Sequence, residues 1–327
     1  MSVTLRDSFG RRIEYLRISV TDRCNFRCLY CMPAAGLEWL QKSEILSYEE
    51  IAQVVRELAP LGLRRLRISG GEPTLRPQLE NLVTLLKSIP EIEDISLSTN
   101  GVRLPDVAGL LKNAGLDRVN MSADSLQPDR IRSISRRTTD FDPVAAAISA
   151  ESAGLAPIKI NVVVMRGIND DEVCDFARLT IDHEWHVRFI ELMPVGEMRD
   201  LTWAHVVPSD EILRRLEAIS SLESVIGPER GNGPARYFQL EGARGTVGVI
   251  TPMSHTYCGS CNRVRLTANG RLRTCLFGYD EVDLRTPLRE GLPLEPFFRS
   301  ALASKPEEHH LLQMQVGGLR ALSQVGG

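Results

Sequence analysis

The chain has 327 residues, of which 43% are hydrophobic and 25% charged, and its formal net charge is -3. This composition is ordinary for a globular protein, and the length suffices for one large α/β domain and a smaller one. A slightly acidic chain is not expected to bind nucleic acid, which generally requires a basic surface. We find no signal peptide, and the apolar runs are too short to span a membrane, so we expect a cytoplasmic protein without membrane contact.

The first part of the chain alternates between short apolar strands and helical patterns. Six strands are predicted at 15–21, 65–69, 94–98, 117–122, 159–164 and 187–192. A capping box formed by Ser47 and Glu50 predicts the start of the first helix, and Asn169 is predicted to cap a later one. Repeated strand–helix units indicate a parallel sheet with right-handed crossovers.

The positions of the unusual residues favour a partial barrel over an open doubly wound sheet. A cysteine cluster follows the first strand, and Gly70-Gly71-Glu72-Pro73 follows the second. Thr99-Asn100-Gly101 and Ala123-Asp124 follow the third and fourth strands. Barrel enzymes build their sites at this end of the strands. We therefore predict an α/β fold, a partial (βα)6 TIM-type barrel.

The pattern changes near residue 200, which predicts two domains: the barrel at 1–200 and a smaller, strand-containing domain at 201–327. A helix is expected from Ser209. Four strands are predicted after it, at 236–240, 246–250, 263–267 and 271–277. Asn269-Gly270 lies between the last two strands and is a strong hairpin signal.

The chain has seven cysteines, and six of them form two groups of three. The groups are Cys24, Cys28 and Cys31, spaced C-x3-C-x2-C, and Cys258, Cys261 and Cys275, spaced C-x2-C-x13-C. An odd number of cysteines without an export signal indicates a reducing compartment rather than a disulfide framework. Cys174, outside both groups, lies in a helix pattern and is interpreted as a small buried hydrophobe.

Each cysteine group is one ligand short of a closed metal site. A structural zinc ion takes four ligands, and a [4Fe-4S] cluster has four iron corners. Three thiolates around such a cluster leave one iron open to a molecule that is not protein. For the second group a Cys3His zinc site remains an alternative, because His255 lies three residues before Cys258.

The first cysteine spacing, with Tyr30 before the third cysteine, resembles that of the radical S-adenosylmethionine (SAM) enzymes. The Gly70–Pro73 segment resembles their second motif. That resemblance implies a partial barrel and a [4Fe-4S] cluster whose open iron binds SAM. It also implies reductive cleavage of SAM to methionine and a 5'-deoxyadenosyl radical.

The resemblance narrows to the GTP 3',8-cyclase family of molybdenum cofactor biosynthesis. It is carried by segments 157–170, 187–196 and 254–277 and by the terminal Gly-Gly, and it runs almost end to end. Ser135 stands where a glycine is expected. The implied reaction joins C3' of the ribose to C8 of guanine and gives 3',8-cyclo-7,8-dihydro-GTP. No side chain is assigned as a catalytic acid, base or nucleophile.

Carried over residue by residue, the resemblance implies a complete site. The two cysteine groups would hold two [4Fe-4S] clusters, and the open iron of the second would bind the guanine base. The implied SAM contacts are Tyr30, Gly71, Glu72, Ser122 and Met193. The implied GTP contacts are Arg17, Arg67, Ser98, Lys159, Arg263, Val264 and Arg265. Gly326 and Gly327 are expected to reach into the site.

The same resemblance implies partners. They are a low-potential electron donor and a downstream cyclic pyranopterin monophosphate synthase, which receives the product. We expect a monomer or a homodimer.

The residues themselves leave some points open. Arg263 and Arg265 share a strand face, since side chains alternate along a strand. A simple two-residue turn would pair Cys275 with Val264 on the opposite face, and a bulge would change this register.

Two other functions stay possible at this stage. One is a radical peptide- or protein-modifying enzyme with an auxiliary cluster, although such enzymes usually carry more cysteines near the C-terminus. The other is a non-catalytic zinc-binding interaction module.

Overall fold

The strands of the chain lie side by side in one sheet, which the computed structural model describes over residues 4–138, 140–193, 201–227, 233–309 and 321–326. Within these residues the sheet has 12 strands in the order β12-β11-β10-β1-β2-β3-β4-β5-β6-β9-β8-β7. The strands are β1 (Tyr15–Ser19), β2 (Arg65–Ser69), β3 (Asp94–Thr99), β4 (Arg118–Ser122), β5 (Lys159–Val164), β6 (His186–Glu191), β7 (Leu222–Val225), β8 (Arg236–Leu240), β9 (Thr246–Ile250), β10 (Arg263–Leu266), β11 (Arg271–Arg273) and β12 (Val282–Asp283).

A run of parallel strands forms the middle of this sheet. Strands β1 to β6 are parallel neighbours, and β10 and β9 extend them in parallel on either side. All six strands predicted for the first part of the chain are present, and their ends differ from the predicted ones by two residues at most. The predicted α/β fold and partial barrel are confirmed. The sheet ends at β12 and β7 instead of closing on itself.

Helices connect the parallel strands and cover the outside of the sheet. In the described residues they are α1 (Tyr48–Leu58), α2 (Leu79–Lys87), α3 (Leu104–Asn113), α4 (Pro128–Ser135), α5 (Pro143–Ser152), α6 (Val173–Asp182), α7 (Ser209–Glu217), α8 (Arg285–Arg289) and α9 (Glu295–Ala303). The predicted capping box begins α1: Glu50 N–H donates to Ser47 Oγ at 3.1 Å, and Ser47 N–H donates to the Glu50 carboxylate at 2.7 Å.

One predicted helix start was wrong in detail. Asn169 precedes a short 3-10 turn, Asp170–Glu172, and its side chain does not cap that turn. Its amide instead accepts from Met165 N–H and donates to the Val163 and Asp124 carbonyls, so it ties β5 to the loop after β4. These tertiary hydrogen bonds take the place of the predicted local helix cap. Helices α4, α8 and α9 and strands β7 and β12 were not predicted.

The inside of the sheet is polar and its outside is apolar. On β1, Tyr15 and Arg17 line an interior cavity, whereas Leu16 and Ile18 are fully buried in the apolar core under the helices. Burying a side chain of that size stabilises the fold by about 1.5–3 kcal/mol. The period of two along each strand thus separates a packed outer core from a polar interior.

The predicted hairpin is present, but its turn has three residues. Thr267 N–H donates to the Arg271 carbonyl at 2.8 Å, and Arg271 N–H donates to Thr267 Oγ1 at 2.9 Å. Gly270 has a φ of 77°, which glycine adopts without strain. Arg265 therefore pairs with Arg273, and the register differs by one residue from that of a two-residue turn. Strand β11 ends at Arg273, so Cys275 lies in the loop that follows and not in the predicted longer strand.

The division into two domains at residue 200 stays a prediction. Residues 194–200 lie outside the described ranges, and strands from both sides of that point belong to the same sheet. None of the helices in the described ranges is long and apolar enough to cross a membrane.

Candidate active site

The first cysteine group occupies the loop after β1, and the glycine-rich turn after β2 holds this loop. Gly71 N–H donates to the Thr21 carbonyl at 2.7 Å, and Glu72 N–H donates to the Arg23 carbonyl at 2.8 Å. The two backbones approach so closely that a side chain on Gly71 would collide with the loop. The turn therefore fixes the position of the segment that enters the cysteine group.

Glu72 is buried and fixes two further turns. Its carboxylate accepts from Thr74 N–H at 3.1 Å and Oγ at 2.6 Å, from Thr99 Oγ at 2.7 Å and from Asn100 N–H at 2.7 Å. Burial raises the pKa of this carboxyl, although these donors act in the opposite direction. Because its oxygens are already engaged, Glu72 positions the loops in this structure and does not line the cavity as a SAM contact would.

Tyr30 and Asp124 link the cysteine loop to the end of β4. The Tyr30 hydroxyl donates to Asp124 Oδ2 at 2.7 Å, and Asp124 Oδ1 accepts from Val163 N–H at 2.9 Å. Burial raises the pKa of the Asp124 carboxyl to about 6. Tyr30, Asp124 and Ser122 line both a small cavity beside Cys28 and the larger interior cavity.

Burial raises the pKa of all three thiols in the first group. The value is about 11 for Cys24 and about 12 for Cys31, and the pKa of Cys28 lies well above its ordinary range. The charges of Asp124, Cys31 and Cys24 add to the effect of burial on Cys28. Such thiols stay protonated at neutral pH unless a metal takes the place of the proton.

The second cysteine group lies around the hairpin of β10 and β11. Cys258 begins a short 3-10 turn before β10, and Cys275 follows β11. Burial raises the pKa of Cys258, and the neighbouring Cys275 and Cys261 raise it further. Lys305 Nζ lies 3.5 Å from Cys261 Sγ. Burial also acts to raise the pKa of Cys261, but the charges of Lys305 and Arg263 outweigh it and lower that pKa.

The donor sets fit four-iron clusters better than single ions. All the cysteines are free, and no three His, Cys, Asp or Glu side chains in the described part of the chain are placed to hold one metal ion together. The thiolates of a four-iron cluster do not converge on one metal ion, since each of them ligates a different iron. The His255 imidazole is 56% exposed, and its Nε2 lies 3.7 Å from Asp210 Oδ1, so it is directed at a surface carboxylate.

Three arginines form a row across neighbouring strands of the interior. Arg265, Arg17 and Arg67 are in register on β10, β1 and β2, and we call them the arginine row. Adjacent strands are about 4.8 Å apart, so like charges in register repel. Within the described residues none of the three has a carboxylate partner. The row is therefore suited to bind an anionic ligand.

The electrostatics of the arginine row also favour an anionic ligand. Burial, followed by the charges of neighbouring arginines, lowers the pKa of Arg17 well below its ordinary value. Burial also lowers the pKa of Arg67 and of Arg265 to about 10. Arg17 Nε donates to the Ser69 hydroxyl at 3.3 Å, and its other guanidinium donors have no acceptor among the described residues, so they are available for a ligand.

Lys159 extends this positive region on β5. The residue is 2% exposed, and burial lowers the pKa of its amine to about 6. The charges of Arg118, Arg188 and Arg67 act in the same direction. Arg118 itself is neutralised by Asp94, with Nε 2.9 Å from Oδ1. A bound polyanion would reverse the penalty on the ammonium form of Lys159.

The end of the described chain lies inside the barrel. Arg265 Nη1 donates to the Gly326 carbonyl at 3.0 Å, and a Cβ atom at Gly326 would lie 2.8 Å from Ser69 Oγ. Gly326 also has a φ of 76°, which few residues other than glycine adopt. Gly327 lies outside the described residues.

Most of the residues assigned by resemblance meet around one cavity of about 1130 Å³, which includes space open to solvent. Those that line it are Arg17, Tyr30, Arg67, Ser98, Ser122, Met193, Arg263 and Arg265. One assignment needs correction. Val264 is fully buried in the apolar core, because it alternates with Arg263 and Arg265 and so faces away from the cavity. Its side chain cannot contact a nucleotide there.

Several residues around the cavity were not predicted. They include Tyr15, Asn161, Arg188, Glu191 and Tyr257. A signal for some of them was present: parallel strands buried on both faces usually read as continuous apolar runs, whereas YLRIS and KINVV alternate polar and apolar residues. Such alternation in a parallel sheet indicates a polar interior.

A barrel whose first strand leads into a three-cysteine loop, held by a glycine-rich turn after the second strand, defines a radical SAM enzyme. The family model described as Radical SAM superfamily matches residues 18–180, and the one described as Molybdenum Cofactor Synthesis C matches residues 185–311. The structure of Streptococcus suis SuiB bound to S-adenosylmethionine is similar, with a TM-score of 0.65 at 14% identity over 95% of this chain and 74% of that chain. At this identity the likeness shows the fold alone.

Curated relatives narrow the assignment. The chain is 48% identical to the GTP 3',8-cyclase of Heliobacterium modesticaldum, over 98% of this chain and 99% of the relative. It is also 48% identical to that of Moorella thermoacetica, over 99% and 100%. The GTP 3',8-cyclase of Listeria welshimeri is 43% identical over 99% of both chains. The chain belongs to the GTP 3',8-cyclase family.

Proposed function

We propose that this chain converts GTP into 3',8-cyclo-7,8-dihydro-GTP, the first step of molybdenum cofactor biosynthesis. Near-full-length similarity to relatives that carry the name GTP 3',8-cyclase supports the activity. The observation that carries the substrate is the arginine row. It presents three cations in register, without carboxylate partners in the described residues, to the interior cavity that all three line.

Residues of the proposed site can be assigned to SAM and to each of the two clusters. Cys24, Cys28 and Cys31 would hold the cluster that binds SAM, and Tyr30 and Ser122 line the adjacent cavity. When bound, the reduced cluster and SAM supply a 5'-deoxyadenosyl radical that removes the 3' hydrogen of the ribose. The three thiols of the second group would hold a second [4Fe-4S] cluster, and its open iron would be available to the guanine base. A three-thiol donor set with no fourth cysteine supports this second cluster.

The chain itself contributes position and exclusion of water. The arginine row and Lys159 attract the triphosphate and fix one end of the nucleotide. The guanine would then lie toward the second cysteine group, since Cys261 lies two residues before Arg263 on β10. Gly326 places its backbone carbonyl against Arg265. Holding the ribose in one pose supplies most of what a protein can add to a radical ring closure, together with protection of the radical.

The activity is tested anaerobically with reconstituted protein, GTP, SAM and a strong reductant. We expect 5'-deoxyadenosine and the cyclised nucleotide in equal amounts. Production of 5'-deoxyadenosine alone, at the same rate with and without GTP, would exclude GTP as the substrate.

The two clusters are tested by metal analysis of single variants. The wild-type protein should hold about eight irons per chain, since each cluster has four. Cys275→Ala should lose about half of them, and Cys24→Ala should lose the other half. Cys174→Ala is the matched control, because its thiol only approaches the Arg215 carbonyl on another part of the surface and should leave the iron content unchanged.

Neither alternative function is favoured. The likeness to SuiB shows only the fold, so it does not support a peptide substrate. A zinc site at the second group would require His255, which is directed at Asp210. His255→Ala should therefore keep all the iron, and zinc in place of iron in the wild-type protein would overturn the two-cluster proposal.

The remaining assignments belong to the same proposal. They comprise a low-potential electron donor, transfer of the product to a cyclic pyranopterin monophosphate synthase, and a cytoplasmic location. Seven free cysteines support a reducing compartment.

A further inference from the structure

Tyr15 presents an unusual hydroxyl at the start of β1. The residue is 6% exposed and lines the interior cavity, yet its hydroxyl is buried without a hydrogen-bond partner in the described residues. A buried hydroxyl normally has a partner, because leaving it unpaired costs free energy. An unpaired hydroxyl at the wall of a ligand cavity therefore points to a partner that comes with the ligand.

The surroundings of Tyr15 define the chemistry of that partner. Tyr15 lies two residues before Arg17 on the same strand face and in register with Arg263 on β10. The Arg67 guanidinium lies 5.4 Å from the centre of the Tyr15 ring. Cations on three sides attract an anion, and a phenol can donate one hydrogen bond to it. A phosphate oxygen is both negatively charged and a hydrogen-bond acceptor.

Other atoms around the same cavity show the same pattern. Arg188 Nε and Arg263 Nε are also buried without a partner among the described residues, and both residues line the cavity with Tyr15. Both atoms are donors, as the phenol is. Together with the Tyr15 hydroxyl they make three donors, against one acceptor without a partner in the described residues, Asn161 Oδ1. An excess of donors favours a ligand rich in acceptors, such as a polyphosphate.

The charge state of the phenol is consistent with this role. Burial acts to raise the pKa of Tyr15, but the charges of neighbouring arginines, with Arg67 foremost, outweigh it and lower that pKa. A polyphosphate would neutralise these arginines and so keep the phenol protonated as a donor.

We propose that the Tyr15 hydroxyl donates a hydrogen bond to a phosphate oxygen of the bound nucleotide and belongs to the phosphate-binding wall with the arginine row. This inference rests on the proposed function and deepens it. It assigns a substrate contact to a residue that the family resemblance did not mark.

The test compares Tyr15→Phe with the wild-type holoenzyme. Removing a donor to a charged acceptor should raise the KM for GTP by about 10- to 100-fold and leave kcat within about twofold, because the contact is the same in ground and transition states. The KM for SAM should not change. Tyr48→Phe is the matched control, since its hydroxyl donates to the Pro77 carbonyl, outside the cavity.

A second measurement identifies the atom that Tyr15 contacts. Inorganic tripolyphosphate should inhibit the wild-type enzyme in competition with GTP, and Tyr15→Phe should weaken this inhibition by the same factor as it raises the KM for GTP. Unchanged inhibition by tripolyphosphate, or an unchanged KM for GTP, overturns the inference. Iron content equal to that of the wild type shows that the variant has folded.

Failure of the proposed function would look different. In that case the wild-type enzyme would not cyclise GTP at all, whereas binding of tripolyphosphate to the wild-type and Tyr15→Phe holoenzymes, measured by calorimetry, would still test the phosphate contact.

Discussion

A Cβ atom at Gly71 would lie 2.2 Å from the carbonyl oxygen of Arg23, the residue before Cys24. No side chain is tolerated at that distance, so the turn after β2 and the cysteine loop after β1 hold each other by backbone contact alone. The motif needs glycine at position 71 because only a residue without a side chain fits this contact. The contact fixes where the first cysteine group begins.

The first prediction follows from this contact. Gly71→Ala should displace the cysteine loop, so the protein should lose about half of its iron and nearly all turnover. Gly109→Ala is the control: Gly109 lies in α3 with nothing within 4 Å of an added Cβ, and alanine there should stabilise the protein by about 0.4–1 kcal/mol. Iron and sulfide analysis measures the first effect. Full iron content in Gly71→Ala would show that the loop is not held this way.

Lys159 gives a prediction about protons. Its amine has a pKa of about 6 in the folded protein without ligand, mainly because of burial. A triphosphate next to it should raise that pKa, so GTP binding at pH 8 should take up close to one proton at this residue. Calorimetry in buffers of different ionisation enthalpy measures the uptake. Lys159→Met should bind GTP without this proton, and equal uptake in both proteins would refute the assignment.

The same residue should affect stability. Between pH 6 and pH 10.5 the unfolded chain carries the Lys159 proton and the folded chain does not. Unfolding takes up a proton in this window, so the contribution of Lys159 to the free energy of unfolding falls as pH falls from 10.5 toward 6. Lys159→Met should therefore gain stability relative to the wild type as pH falls through this range. A constant difference between the two proteins, measured by chemical denaturation, would contradict the depressed pKa.

The pair of Tyr30 and Asp124 predicts a non-additive effect on SAM. The Tyr30 hydroxyl and the Asp124 carboxylate share one hydrogen bond, and both residues line the cavity beside Cys28. Loss of a hydrogen bond to a charged group costs about 1.5–3 kcal/mol, so Tyr30→Phe and Asp124→Asn should each raise the KM for SAM about tenfold or more. The double variant should be little worse than either. Steady-state kinetics at saturating GTP measure this, and fully multiplicative effects would show that the residues act separately.

Gly326 predicts a requirement for glycine at the end of the described chain. An added Cβ would press on Ser69 Oγ, and the φ of 76° would itself be strained. Gly326→Ala should lower turnover at least about tenfold and leave the iron content unchanged, because the tail could no longer lie beside Arg265. Gly291→Ala isolates the strain alone, since Gly291 has a φ of 71° and open space around it. Equal activity of the two variants would mean that the position of the tail does not matter for turnover.

Local sequence signals predicted a large part of the fold. The capping box at Ser47 and the six parallel strands are present, because each depends on residues close together in the chain. The helices and strands that were missed are short or lack a strong periodic pattern. Asn169 was assigned a local cap that tertiary hydrogen bonds to Val163 and Asp124 replaced.

The sequence alone determined the chemistry available to this protein: two groups of three thiols, a glycine-rich turn and arginines that alternate with apolar residues along strands. These features are local, since spacing and alternation are set by the backbone itself. Only the tertiary structure decided that β10 lies beside β1, which brings Arg265 and Arg17 into register and leaves Val264 in the core. It also decided that Tyr15 reaches the cavity wall and that Gly326 lies next to Arg265. Pairing between segments far apart in the chain depends on how the whole sheet assembles, and no local pattern encodes that choice.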